Sequence, residues 1–306
     1  MTNLVLTHTG SAVPEYVETC IRQLQHTNPD ITIDLIADYN HGNNFIEDTK
    51  LACVNVIPIQ ELESDHVVKR FRELSWFKAW GKPNTHYPSP DNFVQGTSER
   101  LFLLAAYLKE SNIKNVWHIE NDNLIYNKFE IIEHHLSTDK ITCCYMNNKH
   151  TVWNLVFIPD PSLLYTAMEW YAYMLSKGNE WLCKTYDLEM AHEMTIMRQY
   201  EDLSFFPSLP IQEGTIEGYY FDPASYGQYI GGTNNGHPPG FRDTVNHDIG
   251  RSFGTLWTDA YFNEEMKRPF VVSPDTEKLQ HIKNAYPLFN LHVHNKYKMK
   301  ELKSYD

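Results

Sequence analysis

Along the first 125 residues, short apolar runs alternate with longer segments in which apolar residues return every three or four positions. The runs at 3–7, 31–37, 52–57 and 115–119 have the length and β-branched content of strands. Between them, 14–25 and 97–111 carry a helical stripe, and in the second Leu101, Leu104, Ala105 and Leu108 share one face. Parallel strands need crossover connections, usually helices. The alternation therefore predicts an open, mostly parallel α/β sheet covered by helices.

The second half is less periodic. Strands are predicted at 141–145 and 152–158, and Asp160-Pro161 reads as a cap followed by proline at the first helical position, opening a helix to about residue 176. Another helix is predicted over 188–198. Residues 221–250 are rich in Gly, Pro and Asn with interleaved aromatics, and read as an ordered, functional loop. No repeat, low-complexity stretch or linker divides the chain. A single catalytic domain over 1–306 is expected, with a nucleotide-binding half (1–125) and an acceptor-binding half (126–306).

Composition narrows the chemistry. With 306 residues, 42% of them hydrophobic, the chain can bury a core that needs no staples. Its net charge of -13 argues against a nucleic-acid partner, which would need a concentrated excess of Lys and Arg. A diphosphate ligand would meet the same repulsion unless a divalent cation or a few placed bases neutralised it. The 5 cysteines form no Cys-x-x-Cys pair, which fits a reducing compartment. The start reads as a strand rather than a signal peptide, and no apolar stretch is long enough to span a bilayer. A cytoplasmic protein is expected, with attachment at a membrane surface left open.

The densest local chemistry is Val116-Trp117-His118-Ile119-Glu120-Asn121-Asp122-Asn123, an apolar strand running into carboxylates and amides. Strand alternation would aim Glu120 and Asp122 at one point beyond the strand end, forming half of a site for Mn²⁺ or Mg²⁺. Near the other end, Phe289-Asn290-Leu291-His292-Val293-His294-Asn295-Lys296 offers two imidazoles at strand spacing and then a lysine able to reach a phosphate. P-loop, dinucleotide-binding, zincin and serine-hydrolase motifs are absent from the sequence.

Glu120-Asn121-Asp122, placed after an apolar strand, resembles the Asp-x-Asp motif of GT-A glycosyltransferases, with Glu replacing the first Asp. The resemblance implies a metal-dependent transferase that takes a UDP- or GDP-linked sugar to a glycan or other hydroxyl acceptor. It implies Asp122 as the direct metal ligand, with Glu120 serving the donor or reaching the ion through water. A late histidine would be the third ligand, His294 first with His292 as the alternate, and Lys296 would lie on the leaving phosphate. Thr7, His8, Thr9, Asp38 and Asn121 would line the nucleotide, and Arg100 would face the donor. On the acceptor side Asp187 and Glu189, at a predicted helix start, are candidate general bases for an inverting displacement, and Asp222 precedes the glycine-rich loop; Asp187 also reads as a helix cap. Two other readings stand beside this one. A sugar-nucleotide nucleotidyltransferase would normally carry a Gly-rich basic loop where this chain has Thr9-Gly10-Ser11-Ala12, and a non-catalytic carbohydrate- or nucleotide-binding module would share the fold but not the turnover.

Overall fold

A computed structural model describes residues 2–10, 12–74, 93–188, 190–207, 215–232, 260–272 and 285–305. Strands β1 (Asn3–Thr7), β2 (Thr32–Ala37), β3 (Val54–Pro58), β4 (Val116–Ile119), β6 (Ile141–Asn147), β7 (His150–Ile158) and β8 (Leu203–Phe206) form one sheet in the order β3-β2-β1-β4-β7-β6-β8. Strand β7 runs antiparallel to both its neighbours, and the other pairs are parallel. Leu4, Val5 and Leu6 of β1 are all buried, as a strand covered on both faces requires.

Helices cover each face. Leu4, Leu6, Trp117 and Ile119 pack under helix α1 (Glu15–Thr27) and Phe45 of helix α2 (Tyr39–Thr49). On the opposite face, Val5, Ile36 and Val116 pack against helices α3 (His66–Arg72), α4 (Phe93–Ser111) and α5 (Pro161–Leu175). The alternation of Leu4 and Leu6 against Val5 is the period-2 rule of a strand. The predicted cap at Asp160 forms, its side chain accepting from the Ser162 N–H. Among the described residues no helix is long and apolar enough to cross a membrane.

Two small antiparallel sheets lie beside the main one: β9 (Ala260–Asn263), β10 (Arg268–Val272) and β11 (Ala285–Pro287), and the pair β5 (Asn123–Ile125) with β12 (Asn290–His292). In the second pair His292 faces Asn123 across the ladder, so chain far apart in sequence meets at the carboxyl end of β4.

Several predicted elements change. The helix expected over 188–198 is a short turn, Glu193–Ile196, followed by a 3₁₀ turn, Met197–Gln199. A helix precedes it instead, α6 (Asn179–Tyr186), which ends at Asp187 in the left-handed conformation with φ 53°. Asp187 therefore closes a helix rather than opening one. Helices α2 and α3 were not evident in the hydrophobic pattern, and each is nucleated by an aspartate cap, Asp38 and Asp65. Within the predicted loop, Tyr226–Gly231 forms helix α7, while 233–250 lie outside the described residues.

Candidate metal centre

The parallel strands deliver Thr7, Ala37 and Ile119 to one edge of the sheet, where open α/β folds gather their ligands. Past Ile119 the chain turns tightly: the Glu120 N–H donates to the Asn154 carbonyl at 2.9 Å, and the Asn123 N–H donates to the Glu120 carbonyl at 3.1 Å. A turn, not strand alternation, thus brings Glu120 and Asp122 together. The Val293 N–H donates to the Asp122 carbonyl at 2.9 Å, which anchors β12 to the same turn.

The third member of the cluster is His292. Its Nε2 lies 2.7 Å from Glu120 Oε2 and 2.9 Å from Asp122 Oδ1, with only 8% of the side chain exposed. Neither ring nitrogen makes a hydrogen bond, so the two close contacts are out of line with an imidazole N–H. One ligand atom from each of the three residues lies within 4.8 Å of the others. Two carboxylates and an imidazole converging on one point match the donor set of Mn²⁺-class ions. His294 turns elsewhere: its ring stands edge-on to His292 at 4.7 Å, and its nitrogens lie 3.2 Å from the Gln228 amide nitrogen. The structure brings the alternate histidine, His292, to the carboxylates.

Two cations flank the cluster. Arg100 binds Glu120 Oε1, and Lys296 binds Asp122 Oδ2 while donating to the Val293 carbonyl at 3.0 Å. Arg100 sits in the second turn of α4, which begins at Phe93. Burial pushes the Glu120 carboxyl up, but the Arg100 guanidinium and His292 outweigh it and hold the group well below the ordinary carboxylate range. Burial drives the Lys296 ammonium down to about 7, against the attraction of Glu120.

Of the residues expected to line a nucleotide, Thr7, His8 and Asn121 gather at this edge. The Asn121 amide donates to the Thr7 carbonyl at 3.1 Å and lies 3.5 Å from His8 Nδ1. His8 Nε2 is 2.6 Å from the Ala12 carbonyl, and burial lowers the pKa of its ring. Thr9 Oγ1 reaches the Gly96 carbonyl at 3.5 Å. Asp38 is committed to capping α2: its carboxylate accepts from the Asn40 and His41 N–H groups and from Gln60 Nε2 at 2.6 Å.

Several buried polar atoms here lack a hydrogen-bond partner, among them Thr7 Oγ1, Arg100 Nε, Asn121 Oδ1 and both nitrogens of His292. Folded proteins satisfy most such atoms, so each calls for an explanation.

The acceptor-side expectations fare differently. The Asp187 side chain is 96% exposed and paired with Lys149 at 2.9 Å, and Glu189 lies outside the described residues. The buried carboxylate of this region is Glu193. It accepts from Thr97 Oγ1 at 3.2 Å and lies 3.6 Å from His192 Nδ1; burial raises its pKa, and His192 and Arg100 more than reverse that. Its only sequence signal is a charge set among Ala191, Met194, Ile196 and Met197. Asp222 is buried as well, bound entirely to main-chain N–H groups. A second ligand-capable group, His134, His135 and Glu217, is exposed. A cleft of about 760 Å³ beside α1, lined by Glu15, Glu18, Arg22, His26, Lys300 and Lys303 among others, includes none of the candidate site residues.

No known sequence family matches the chain, and no curated protein matches it in sequence. Among solved structures, an active-site mutant of LgtC is similar at 11% identity with a TM-score of 0.47, over 98% of this chain and 95% of that one. The PaToxG glycosyltransferase is similar at 10% identity and TM-score 0.42, over 65% of this chain and 67% of that one. A cytidylyltransferase from Leptospira borgpetersenii serovar Hardjo-bovis (strain JB197) is similar at 8% identity and TM-score 0.36, over 68% and 76%. These are distant likenesses of overall shape, and they assign no activity.

Proposed function

We propose that this chain is a divalent-metal-dependent glycosyltransferase of the GT-A type, taking the sugar of a UDP- or GDP-linked donor to a hydroxyl on a glycan or other acceptor. The observation that carries the reading is the convergence of Glu120, Asp122 and His292 between Arg100 and Lys296. Asp122 and His292, with Glu120, would hold Mn²⁺ or Mg²⁺, and the bound ion would supply Lewis-acid neutralisation of the donor diphosphate. The rest falls to side chains. Lys296, which binds Asp122 in this structure, would donate to the leaving phosphate as its charge builds if that carboxylate were engaged by an ion. Arg100 keeps Glu120 ionised and oriented. Thr7 and Asn121, joined at the strand ends, would line the nucleotide. No step falls to Asp187, whose carboxylate is spent on Lys149 at the surface.

The test is metal-dependent hydrolysis of a UDP- or GDP-sugar without acceptor. Mn²⁺ should support turnover that a chelator abolishes, and Asp122→Ala should lower it on the order of 100-fold or more. Turnover that survives both chelation and Asp122→Ala contradicts the reading, and release of a nucleoside triphosphate from sugar nucleotide and pyrophosphate would reassign the chain to nucleotidyl transfer.

A further inference from the structure

Below the candidate centre four fully buried residues, Asn123, Asn154, Asp222 and Asn290, close a ring of hydrogen bonds between three side-chain amides and the main chain of Asn154 and Asp222. The Asp222 N–H donates to Asn290 Oδ1 at 3.0 Å, and Asn290 Nδ2 donates to Asn123 Oδ1 at 3.1 Å. Asn123 Nδ2 donates to the Asn154 carbonyl at 2.7 Å, and Asn154 Nδ2 returns to the Asp222 carbonyl at 2.9 Å. The ring joins four separate chain segments: the turn after β4, β7, the bend before α7, and β12.

Each candidate ligand is tied to it through the backbone. The Asn154 carbonyl that takes Asn123 also takes the Glu120 N–H. Asn123 directly follows Asp122, and the Asp222 carboxylate accepts the His292 N–H at 2.9 Å. The remaining donors to Asp222 are the N–H groups of Ser225, Tyr226 and Gly227, at 2.8, 2.9 and 3.0 Å. The start of α7 is thereby drawn onto β12 so closely that a Cβ on Gly227 would sit 1.8 Å from the His292 carbonyl oxygen. His292 is thus held at its N–H by Asp222, and its carbonyl lies so close to Gly227 that no side chain fits between them. A buried carboxylate is costly, and here each oxygen accepts two main-chain N–H groups, a load that a neutral amide cannot carry.

We infer that Asp222 is a positioning residue for metal binding: its carboxylate, on a main chain that the ring fixes, holds the His292 N–H and so sets the place of His292 against Glu120 and Asp122. The inference rests on the metal-centre reading above and adds the residue that makes the centre preorganised. Outer groups that orient ligands typically change metal affinity 10- to 100-fold when lost.

Mn²⁺ affinity, measured from the electron paramagnetic resonance signal of free Mn²⁺ at a temperature where every variant is folded, tests it without any turnover. Asp222→Asn should weaken binding about 10- to 100-fold. Asn290→Ser, which opens the ring while leaving the Asp222 carboxylate in place, should weaken it in the same direction. Gly42→Ala, whose new Cβ would press on Val56 Cγ1 at 2.6 Å, lowers the melting temperature through a contact outside the ring and should leave Mn²⁺ affinity unchanged. Wild-type affinity in folded Asp222→Asn overturns the inference, as does an equal loss in Gly42→Ala. If Asp222→Asn does not fold, Asn290→Ser decides, and failure of both to fold also overturns it by making the ring a requirement of folding. Failure of the wild-type protein to bind Mn²⁺, or binding indifferent to Asp122→Ala, sinks the metal centre itself and is read separately.

Discussion

Lys296 shows how much of the candidate site is decided by single contacts. Its ammonium neutralises Asp122, packs 5.5 Å from the Tyr16 ring centroid, and is held near neutral pKa by burial. A cation entering the centre must compete with it for Asp122. Lys296→Gln should therefore bind Mn²⁺ more tightly than the wild type, yet hydrolyse a nucleotide sugar on the order of 10- to 100-fold more slowly, because the leaving phosphate loses its donor. Weaker Mn²⁺ binding in this variant, read by the same resonance titration, would contradict the competition. Residues of this kind were legible in part. Glu120 and Asp122 stand out in sequence because two carboxylates directly follow an apolar strand and a late His-x-His-x-x-Lys offers matching ligands. The choice of His292 over His294 was not legible, since the two share strand parity and are separated only by where β12 stops and by the Gln228 contact. Asp38 and Asp187 both lie at helix ends, where a short acidic side chain finds structural work: Asp38 caps α2, and Asp187, after the left-handed close of α6, pairs with Lys149.

At the scale of elements, the strands that read most clearly are those buried on both faces, whose apolar runs need no partner to be recognised. Strand β7 was legible apart from its first two residues, but its antiparallel direction depends on the short turn after β6 and has no signal in the hydrophobic pattern. The helix over 188–198 failed because its charge, Glu193, is buried and turns the segment toward Thr97, breaking the amphipathic face that a longer helix would need. The beginning of β7 also carries a titration. His150 Nδ1 donates to Asn147 Oδ1 at 2.9 Å, and burial, with His192 and Lys149 nearby, pushes its pKa down to about 4. The folded pKa is depressed below the unfolded value near 6.5, so the unfolded chain binds the extra proton between those two pH values. Stability is accordingly full above pH 6.5 and falls as pH drops toward 4, by up to about 3 kcal/mol from this residue. Urea unfolding at pH 7.5, 6 and 5 should show a shallower loss in His150→Gln than in the wild type. Parallel curves would remove His150 as a source of the acid sensitivity.

Over the whole molecule, the sequence carried the architecture and withheld the closure. The βαβ alternation is local and periodic, so the α/β sheet with its two helical covers could be read directly. The meeting of β5 with β12 could not, because it joins Asn123 to His292 through pairing that no local period encodes. The structure secures that meeting at several points. Gln23 and Ser304 exchange hydrogen bonds at 2.7 and 2.8 Å, the core beneath α1 runs from Leu4 to Leu302, and the buried ring of Asn123, Asn154, Asp222 and Asn290 closes it from within. The -13 net charge then takes a specific sense: the two cations at the centre, Arg100 and Lys296, are placed one by one against carboxylates rather than spread as a basic surface. The central claim is that one cation is grasped jointly by the turn after β4 and the end of β12. Anomalous diffraction from crystals soaked in Mn²⁺, collected at the manganese edge, tests this most directly. A peak is expected within bonding distance of Glu120 or Asp122 and of His292 Nε2, with Lys296 moved off Asp122; a peak confined to the exposed His134, His135 and Glu217 group, with nothing at the centre, would refute a shared cation.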